Sequence, residues 1–153
     1  MPPSLEEPVA DRTESSIVVA AAPSDVMAVI ADLEAYPEWS SDFREVEVLS
    51  TGADGRPEEA RFVLESGPIR DEYSLRYTWD DDAAVAWTLG AAGTLLQAVD
   101  GEYVLTPDGE ATEVTYRLTV DLKIPMIGMI KRKAEKVIVD TALKGLKKRA
   151  EGR

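Results

Sequence analysis

Hydrophobic and polar residues follow three successive patterns along the chain, and the first predicts one strand and two short helices. Residues 13–20 are rich in Val, Ile, Thr and Ser, which favour a strand. Pro, Ser and Asp at 23–25 are typical of a helix start, and apolar residues then recur at helical spacing over 25–33. Because Pro37 disfavours helical geometry at Tyr36, we expect this helix to end there and a second short helical turn to begin.

The second pattern has a period of two and starts near residue 43. It predicts strands over 46–50, 60–64, 71–79, 85–89, 95–105 and 114–122. Turns rich in Gly, Pro and Asp separate these segments. Strict alternation of apolar and polar residues indicates one buried and one solvated face, which is typical of an antiparallel meander.

The third pattern is helical and follows Pro125. About 24 residues of helix would span roughly 36 Å, enough to cross a whole domain. The predicted buried stripe consists of Ile127, Ile130, Ala134, Val137, Ile138, Thr141 and Gly145. Since this helix is the only element long enough to cover the sheet, the sequence predicts an α+β fold: a curved antiparallel sheet of about seven strands around a C-terminal helix.

Length and charge refine this prediction. The 153 residues suit one domain, which we place at 11–150 behind a flexible acidic tail at 1–10. Residues 1–122 carry 7 Arg against 26 acidic residues, whereas 123–153 carry 10 basic residues against 3 acidic ones. The acidic body argues against nucleic acid as a partner. Neither a signal-like segment nor a membrane-spanning apolar run is present, so we expect a cytoplasmic protein.

Two missing residue types restrict the chemistry. The chain contains no Cys and no His. Thiolate nucleophiles, disulfides, Cys-ligated zinc and His-based triads or metal hydrolases are therefore excluded. We expect no metal and no organic cofactor, and any catalysis would depend on Asp, Glu, Tyr, Lys, Arg or bound water.

Three local sequences carry a family resemblance that covers roughly residues 11–149. They are Ala20-Ala21-Ala22-Pro23-Ser24-Asp25-Val26, Tyr36-Pro37-Glu38-Trp39, and the amphipathic helix near the C-terminus. With the order of elements, they resemble the helix-grip superfamily, which includes START lipid-transfer domains and polyketide cyclases/dehydrases. The resemblance implies a long cavity between sheet and terminal helix for a lipid-like or polyketide-like molecule. Where cyclases of this group use a His in the pocket, this sequence has none.

Alternation along the strands turns several aromatic residues inward, more than a packed core requires. The predicted ligand-binding residues are Tyr73, Tyr77, Trp87, Gln97, Tyr103, Tyr116, Met126, Met129 and Ile130, with Tyr36 and Trp39 at the cavity mouth. Trp79 shares the inward parity. Tyr hydroxyls on apolar walls are typical of a small-molecule site, because buried hydroxyls need partners. The alternative is that these side chains fill a core.

These observations predict a protein that binds or carries a hydrophobic small molecule in an enclosed pocket. Two alternatives remain: a polyketide aromatase/cyclase without metal or cofactor, in which Tyr hydroxyls and Gln97 polarise the substrate, or an interaction module working through its basic helix. Such a helix would also give weak contact with anionic membrane through Lys131, Arg132, Lys133, Lys147 and Lys148. A solvated helix face explains the same residues without a partner.

Overall fold

The computed structural model describes residues 12–66, 69–123 and 128–152. The helical elements are α1 (Pro23–Ala31), a 3-10 turn (Leu33–Ala35), α2 (Tyr36–Trp39) and α3 (Gly128–Glu151). The strands are β1 (Thr13–Val19), β2 (Phe43–Thr51), β3 (Pro57–Ser66), β4 (Ile69–Asp80), β5 (Ala84–Leu89), β6 (Leu96–Asp108) and β7 (Ala111–Leu122). The predicted fold class is confirmed. The tail at 1–10 and two residues of the predicted site or stripe, Met126 and Ile127, lie outside the described residues.

All seven strands form one antiparallel sheet in the order β1-β7-β6-β5-β4-β3-β2. Strands β2 to β7 pair with their neighbours in sequence, as alternation and turn residues predict. The first strand instead lies beside the last, with Thr13 opposite Leu118 and Val19 opposite Thr112. The inner face of the sheet and α3 enclose the space in which the candidate site lies.

Tyr36 corrects one detail of the sequence interpretation. Its backbone is helical, with φ −53° and ψ −40°, although Pro37 follows it. Proline is tolerated in the first turn of a helix, where its missing N–H has no helical partner in any case. The Tyr36 hydroxyl also donates a hydrogen bond of 2.6 Å to the Ile30 carbonyl, which holds the α1–α2 connection together.

The long helix is rotated relative to the prediction. Its buried side chains are Glu135, Val139, Leu143, Leu146 and Ala150. The predicted stripe was wrong, because Ile130, Val137 and Ile138 are 53%, 60% and 44% exposed. The helix carries two apolar stripes, and helical spacing alone does not tell which of them faces the sheet.

A buried glutamate explains the orientation of α3. Glu135 is only 1% exposed. Its carboxylate accepts a 2.7 Å hydrogen bond from the Thr13 hydroxyl and a 2.8 Å bond from the Val120 N–H. Since β1 begins at Thr13, the Val120 N–H lies beyond the reach of its pairing partner, and the helix supplies the missing acceptor.

Candidate functional site

A cavity of about 160 Å³ lies between the inner face of the sheet and α3. Its aromatic lining consists of Tyr36, Trp39, Phe43, Phe62, Tyr73, Tyr77, Trp87, Tyr103 and Tyr116. Leu75, Leu96, Val99, Leu118 and Val120 supply apolar wall between the rings. From α3 come Ile138, Thr141 and Ala142, and the exposure of Ile138 and Thr141 shows that the cavity opens to solvent beside the helix. The pocket is therefore not closed, contrary to the expectation from the sequence.

The five predicted strand aromatics come together in this cavity. Trp87 lies at the centre, with its ring centroid 5.4 Å from Tyr103, 5.7 Å from Tyr116 and 5.8 Å from Tyr77. Tyr103 and Tyr116 are 4.6 Å apart on neighbouring strands. Tyr73 lies farther along β4 and stacks on Phe62 at 5.8 Å. The structure thus supports the geometry behind the predicted ligand contacts, and binding itself stays a prediction.

The position of Trp87 depends on a glycine opposite it. Gly101 on β6 is paired with Trp87 on β5. A Cβ atom at Gly101 would come within 2.3–2.5 Å of the Trp87 indole. Any larger residue would displace the ring, so Gly101 allows the indole to lie flat against β6.

Four tyrosine hydroxyls face the cavity without protein partners. Those of Tyr73, Tyr77, Tyr103 and Tyr116 make no hydrogen bond to any residue that the structure describes, in contrast with the Tyr36 hydroxyl. Burial, as the main cause, raises the pKa of all four phenols above the ordinary value. They therefore stay neutral at physiological pH and can each donate one hydrogen bond to a ligand.

Tyr36 and Trp39 line the cavity beside α2, and their role at its mouth stays a prediction. Their rings are 5.0 Å apart in an edge-to-face arrangement. The Trp39 ring also packs on α3, where a Cβ at Gly145 would come within 3.0 Å of it. Among the described residues, the buried Trp39 Nε1 has no hydrogen-bond partner. Trp39 therefore connects α2 to α3, and both side chains line the cavity.

Three predicted contacts are not in the cavity. Gln97 is exposed, because a β-bulge between Leu96 and Ala98 shifts the alternation and turns Leu96 inward instead. Met129 and Ile130 are 76% and 53% exposed, since the N-terminal part of α3 turns that side away from the sheet.

Trp79 lies on the inner face but outside the cavity lining. It stacks on Tyr77, and its indole N–H donates to the Pro57 carbonyl at 2.7 Å. Arg56 lies over the ring at 5.4 Å. Trp79 therefore packs at the end of β4, against the residues that lead into β3.

Sequence reasoning missed several lining residues, of which Asp42 and Ser40 are the polar ones at the mouth. Both follow α2 directly, where neither a helical nor an alternating pattern applies. A cue was available, since residues just after the Tyr-Pro-Glu-Trp segment must lie near the mouth that this segment forms. Ile138 was proposed as a buried stripe residue and instead borders the opening.

A second buried carboxylate fixes the loop that leads into β6. Asp71 accepts hydrogen bonds from the N–H groups of Thr94, Leu95 and Leu96 at 2.7–3.1 Å, and from Glu72 at 3.0 Å. Burial raises the pKa of Asp71, but these donors outweigh it and the pKa lies below the ordinary value. The carboxylate therefore stays ionised and holds Leu96 where it lines the cavity.

The basic residues of α3 fall into two groups. Lys131 pairs with Asp121 at 2.9 Å, and Lys147 pairs with Glu151 at 2.6 Å. Within the described part of the chain, Arg132, Lys133, Lys144 and Lys148 are exposed and have no ion pair. Unpaired cations thus remain on the side of the helix that carries the exposed apolar stripe.

Solved structures share this fold at low sequence identity. A START superfamily protein from Mycobacterium smegmatis superposes with a TM-score of 0.86 at 22% identity, covering 92% of this chain and 97% of that one. A protein from Thermus thermophilus gives 0.78 at 24%, with 92% and 97% coverage. The Zhui aromatase/cyclase from a Streptomyces species gives 0.76 at 18%, with 93% and 94% coverage. These similarities establish the START-type helix-grip fold.

The family model described as polyketide cyclase / dehydrase and lipid transport matches residues 10–151. None of the curated proteins matches the sequence significantly. In the ranges that the structure covers, no helix has the length and hydropathy needed to cross a membrane. The same ranges contain no group of three or more acidic residues arranged to hold a metal ion.

Proposed function

Because this chain belongs to the polyketide cyclase / dehydrase and lipid transport family, we propose that it binds one hydrophobic small molecule in the cavity beneath α3. The observation that carries the proposal is the set of four tyrosine hydroxyls without protein partners on an otherwise apolar wall. Since none of the four hydroxyl oxygens is fully buried, each keeps surface to which a ligand or water in the cavity can hydrogen-bond. The cavity of about 160 Å³ also opens to solvent beside α3, so a ligand larger than the enclosed volume can extend out of it.

Ile138 and its neighbour provide a test. Ile138 is 44% exposed and lines the cavity, whereas Val137 is 60% exposed and does not. We expect the neutral fluorescent probe N-phenyl-1-naphthylamine to bind with about 1:1 stoichiometry and to quench Trp87. The variant Ile138→Ala should bind the probe several-fold more weakly, because about three methylene-sized groups leave the wall. The matched control Val137→Ala should bind it as the wild type does.

Mass spectrometry of molecules that copurify with the protein would identify the natural ligand. Absence of saturable probe binding would overturn the proposal. Equal loss of affinity in the two variants would mean that the probe binds the outer surface of α3 and not the cavity.

A cofactor-independent aromatase/cyclase is the second candidate, and the unpaired hydroxyls also favour it. Neutral phenols could donate to ketone oxygens of a polyketone, and Asp42 could accept a proton at the mouth. Gln97 has no part in this version, because it is exposed. Conversion of a linear polyketone thioester to an aromatic product, with loss of activity in Asp42→Asn, would support it. If the bound polyketone is instead recovered chemically unchanged, the protein acts as a carrier.

We further propose that α3 docks on anionic membrane, an interaction favoured by its exposed apolar stripe. Ile130, Ala134, Val137 and Thr141 recur at steps of three and four and are all exposed. Lys133, Lys144 and Lys148 flank them by the same spacing. A second copy of the chain fits this face less well than a membrane does. A symmetric dimer would place the lysines of one copy against those of the other, and the contact would be only one helix wide. A cytoplasmic location stays a prediction.

Vesicle sedimentation tests this docking. The protein should sediment with vesicles containing about 30% phosphatidylglycerol and not with pure phosphatidylcholine, and salt should weaken the binding. The variant Val137→Ser should lose most of it. The control Leu49→Ser removes an apolar residue that is 51% exposed on β2, and it should have no effect. Binding that ignores lipid charge, or a concentration-dependent dimer without vesicle binding, would overturn the proposal.

A further inference from the structure

The charge lining the cavity gives information on the ligand. Among the described lining residues, Asp42 is the only one with a carboxyl group, and none is Lys or Arg. The internal positions outside the described ranges, 67–68 and 124–127, are Gly, Pro, Ile and Met, so they add no charge. Every lysine and arginine described by the structure is absent from the lining. The described lining therefore contains one carboxyl group, that of Asp42, and no cation.

Main-chain contacts hold Asp42 in place. It follows α2 and precedes β2, and its carbonyl accepts a 2.8 Å hydrogen bond from the Glu65 N–H on β3. The residue is half-buried. In the ranges that the structure covers, neither Lys nor Arg pairs with its carboxylate. Tyr73 also lines the cavity, and its pKa is raised first by burial and then by the nearby Tyr116, Asp71 and Asp42.

This arrangement separates two classes of hydrophobic molecule. A ligand carboxylate would bring a second negative charge into an apolar space without a cation, at a large cost in desolvation and repulsion. A hydroxyl at the same place would donate to the Asp42 carboxylate in a charge-assisted hydrogen bond. Deeper in the cavity, the neutral tyrosine hydroxyls can donate to ligand oxygen atoms.

We propose that the cavity selects an uncharged ligand that carries a hydroxyl group facing Asp42 and oxygen acceptors facing Tyr77, Tyr103 and Tyr116, and that it rejects carboxylates such as free fatty acids. This inference rests on the proposed binding function and specifies the ligand class for the same site. It also assigns Asp42 the role of a specificity-determining residue.

Two probes of similar size and different charge test the inference. At pH 7, 2-naphthol is uncharged and 2-naphthoate is an anion, and each is titrated against bound N-phenyl-1-naphthylamine. We expect 2-naphthol to displace the probe at a concentration at least about tenfold lower than 2-naphthoate requires. This free-energy difference equals that of one pKa unit. In Asp42→Asn, 2-naphthoate should bind several-fold more tightly and 2-naphthol more weakly. The control Asp100→Asn removes an exposed carboxylate on β6 and should leave both values unchanged.

The outcomes distinguish the two proposals. If the neutral probe does not bind, the proposed function fails. If the probe binds but 2-naphthoate displaces it as well as 2-naphthol does, or if Asp42→Asn leaves the ratio unchanged, the inference about ligand class is overturned and cavity binding remains. The thermal unfolding midpoint of Asp42→Asn is expected to match that of the wild type. A change in the ratio of the two displacement concentrations would then not be caused by a folding defect.

Discussion

Arg61 on the outer face of the sheet lies among three carboxylates, whereas the tyrosines on the inner face have no charged partner. Arg61 binds Glu47 at 3.0 Å, Glu72 at 2.9 Å and also Glu45. Arg117 similarly joins Glu14 at 2.8 Å and Glu102 at 2.6 Å. On the inner face, the tyrosines of the cavity wall are neutral phenols, and the buried Asp71 carboxylate is held by backbone N–H groups.

The difference shows how an acidic chain can keep most of its charged side chains in contact with water. Cross-strand arginines spread over the outer face offset part of its negative charge in contact with water, where ion pairs contribute little stability. Inside, each buried polar group must be matched by a hydrogen bond, so a missing partner has a large effect. The neighbours Asp71 and Glu72, one on each face, allow a direct test of this contrast.

The largest effect is expected at Asp71. The variant Asp71→Ala leaves the N–H groups of Thr94, Leu95 and Leu96 without their acceptor, and the free energy of unfolding should fall by about 3 kcal/mol. Glu72→Ala on the outer face should change it by no more than about 0.5 kcal/mol. Urea unfolding followed by circular dichroism measures both. Similar values for the two variants would remove the contrast between the faces.

Lowering the pH should reveal the contribution of the Asp71 carboxylate to stability. Because the pKa of Asp71 is lowered by folding, its stabilisation is complete above the ordinary value of about 3.9 and is lost as the pH falls through the lower folded value. The urea midpoint of the wild type should therefore drop below about pH 4. In Asp71→Asn the drop in the urea midpoint should be smaller, because residue 71 then has no carboxylate to protonate.

A smaller effect is expected for a methyl group added on the inner face. In Gly101→Ala, the new Cβ would overlap the Trp87 indole, and we expect a loss of about 2 kcal/mol with a shift in tryptophan emission. A Trp87→Leu background supplies the control, because the smaller side chain leaves room for the methyl. There, Gly101→Ala should be neutral or stabilising. An equal loss in both backgrounds would mean that the strand backbone, and not the ring, requires glycine.

The smallest effect separates two tyrosines. Tyr36→Phe removes the hydrogen bond to the Ile30 carbonyl and should cost about 1 kcal/mol. Tyr103→Phe removes a hydroxyl that has no partner in the described structure, so stability should change by less than about 0.5 kcal/mol. Thermal unfolding without added ligand compares them. A large loss in Tyr103→Phe would show that its hydroxyl has a structural partner.

The sheet and its inward tyrosines could be predicted because alternation requires only that one face be buried. Strand β4 shows this well, since Tyr73 and Tyr77 lie inward as their spacing indicates. The same rule placed Gln97 wrongly, because a single extra residue at the bulge reverses parity and leaves no clear mark in the sequence.

The orientation of α3 could not be predicted for a different reason. Apolar spacing favoured the side with Ile130 and Val137, while the side that packs on β1 and β7 contains Glu135. A glutamate suggests a solvated face unless its partners are known, and those partners are Thr13 and Val120, far away in sequence. Only the assembled sheet shows that an unpaired N–H at Val120 requires an acceptor there.

The pairing of β1 with β7 determines the order in which the chain can fold during synthesis. Ser16 and Thr115 are hydrogen-bonded across 99 positions, so β1 can pair only after β7 has been synthesised. The hairpins from β2 to β7 can form meanwhile from local contacts. The final helix then fastens the first strand, with Lys147 donating to the Val18 carbonyl at 2.8 Å and Glu151 accepting from the Ala20 N–H at 2.8 Å. The cavity is thus complete only when α3 has packed against β1.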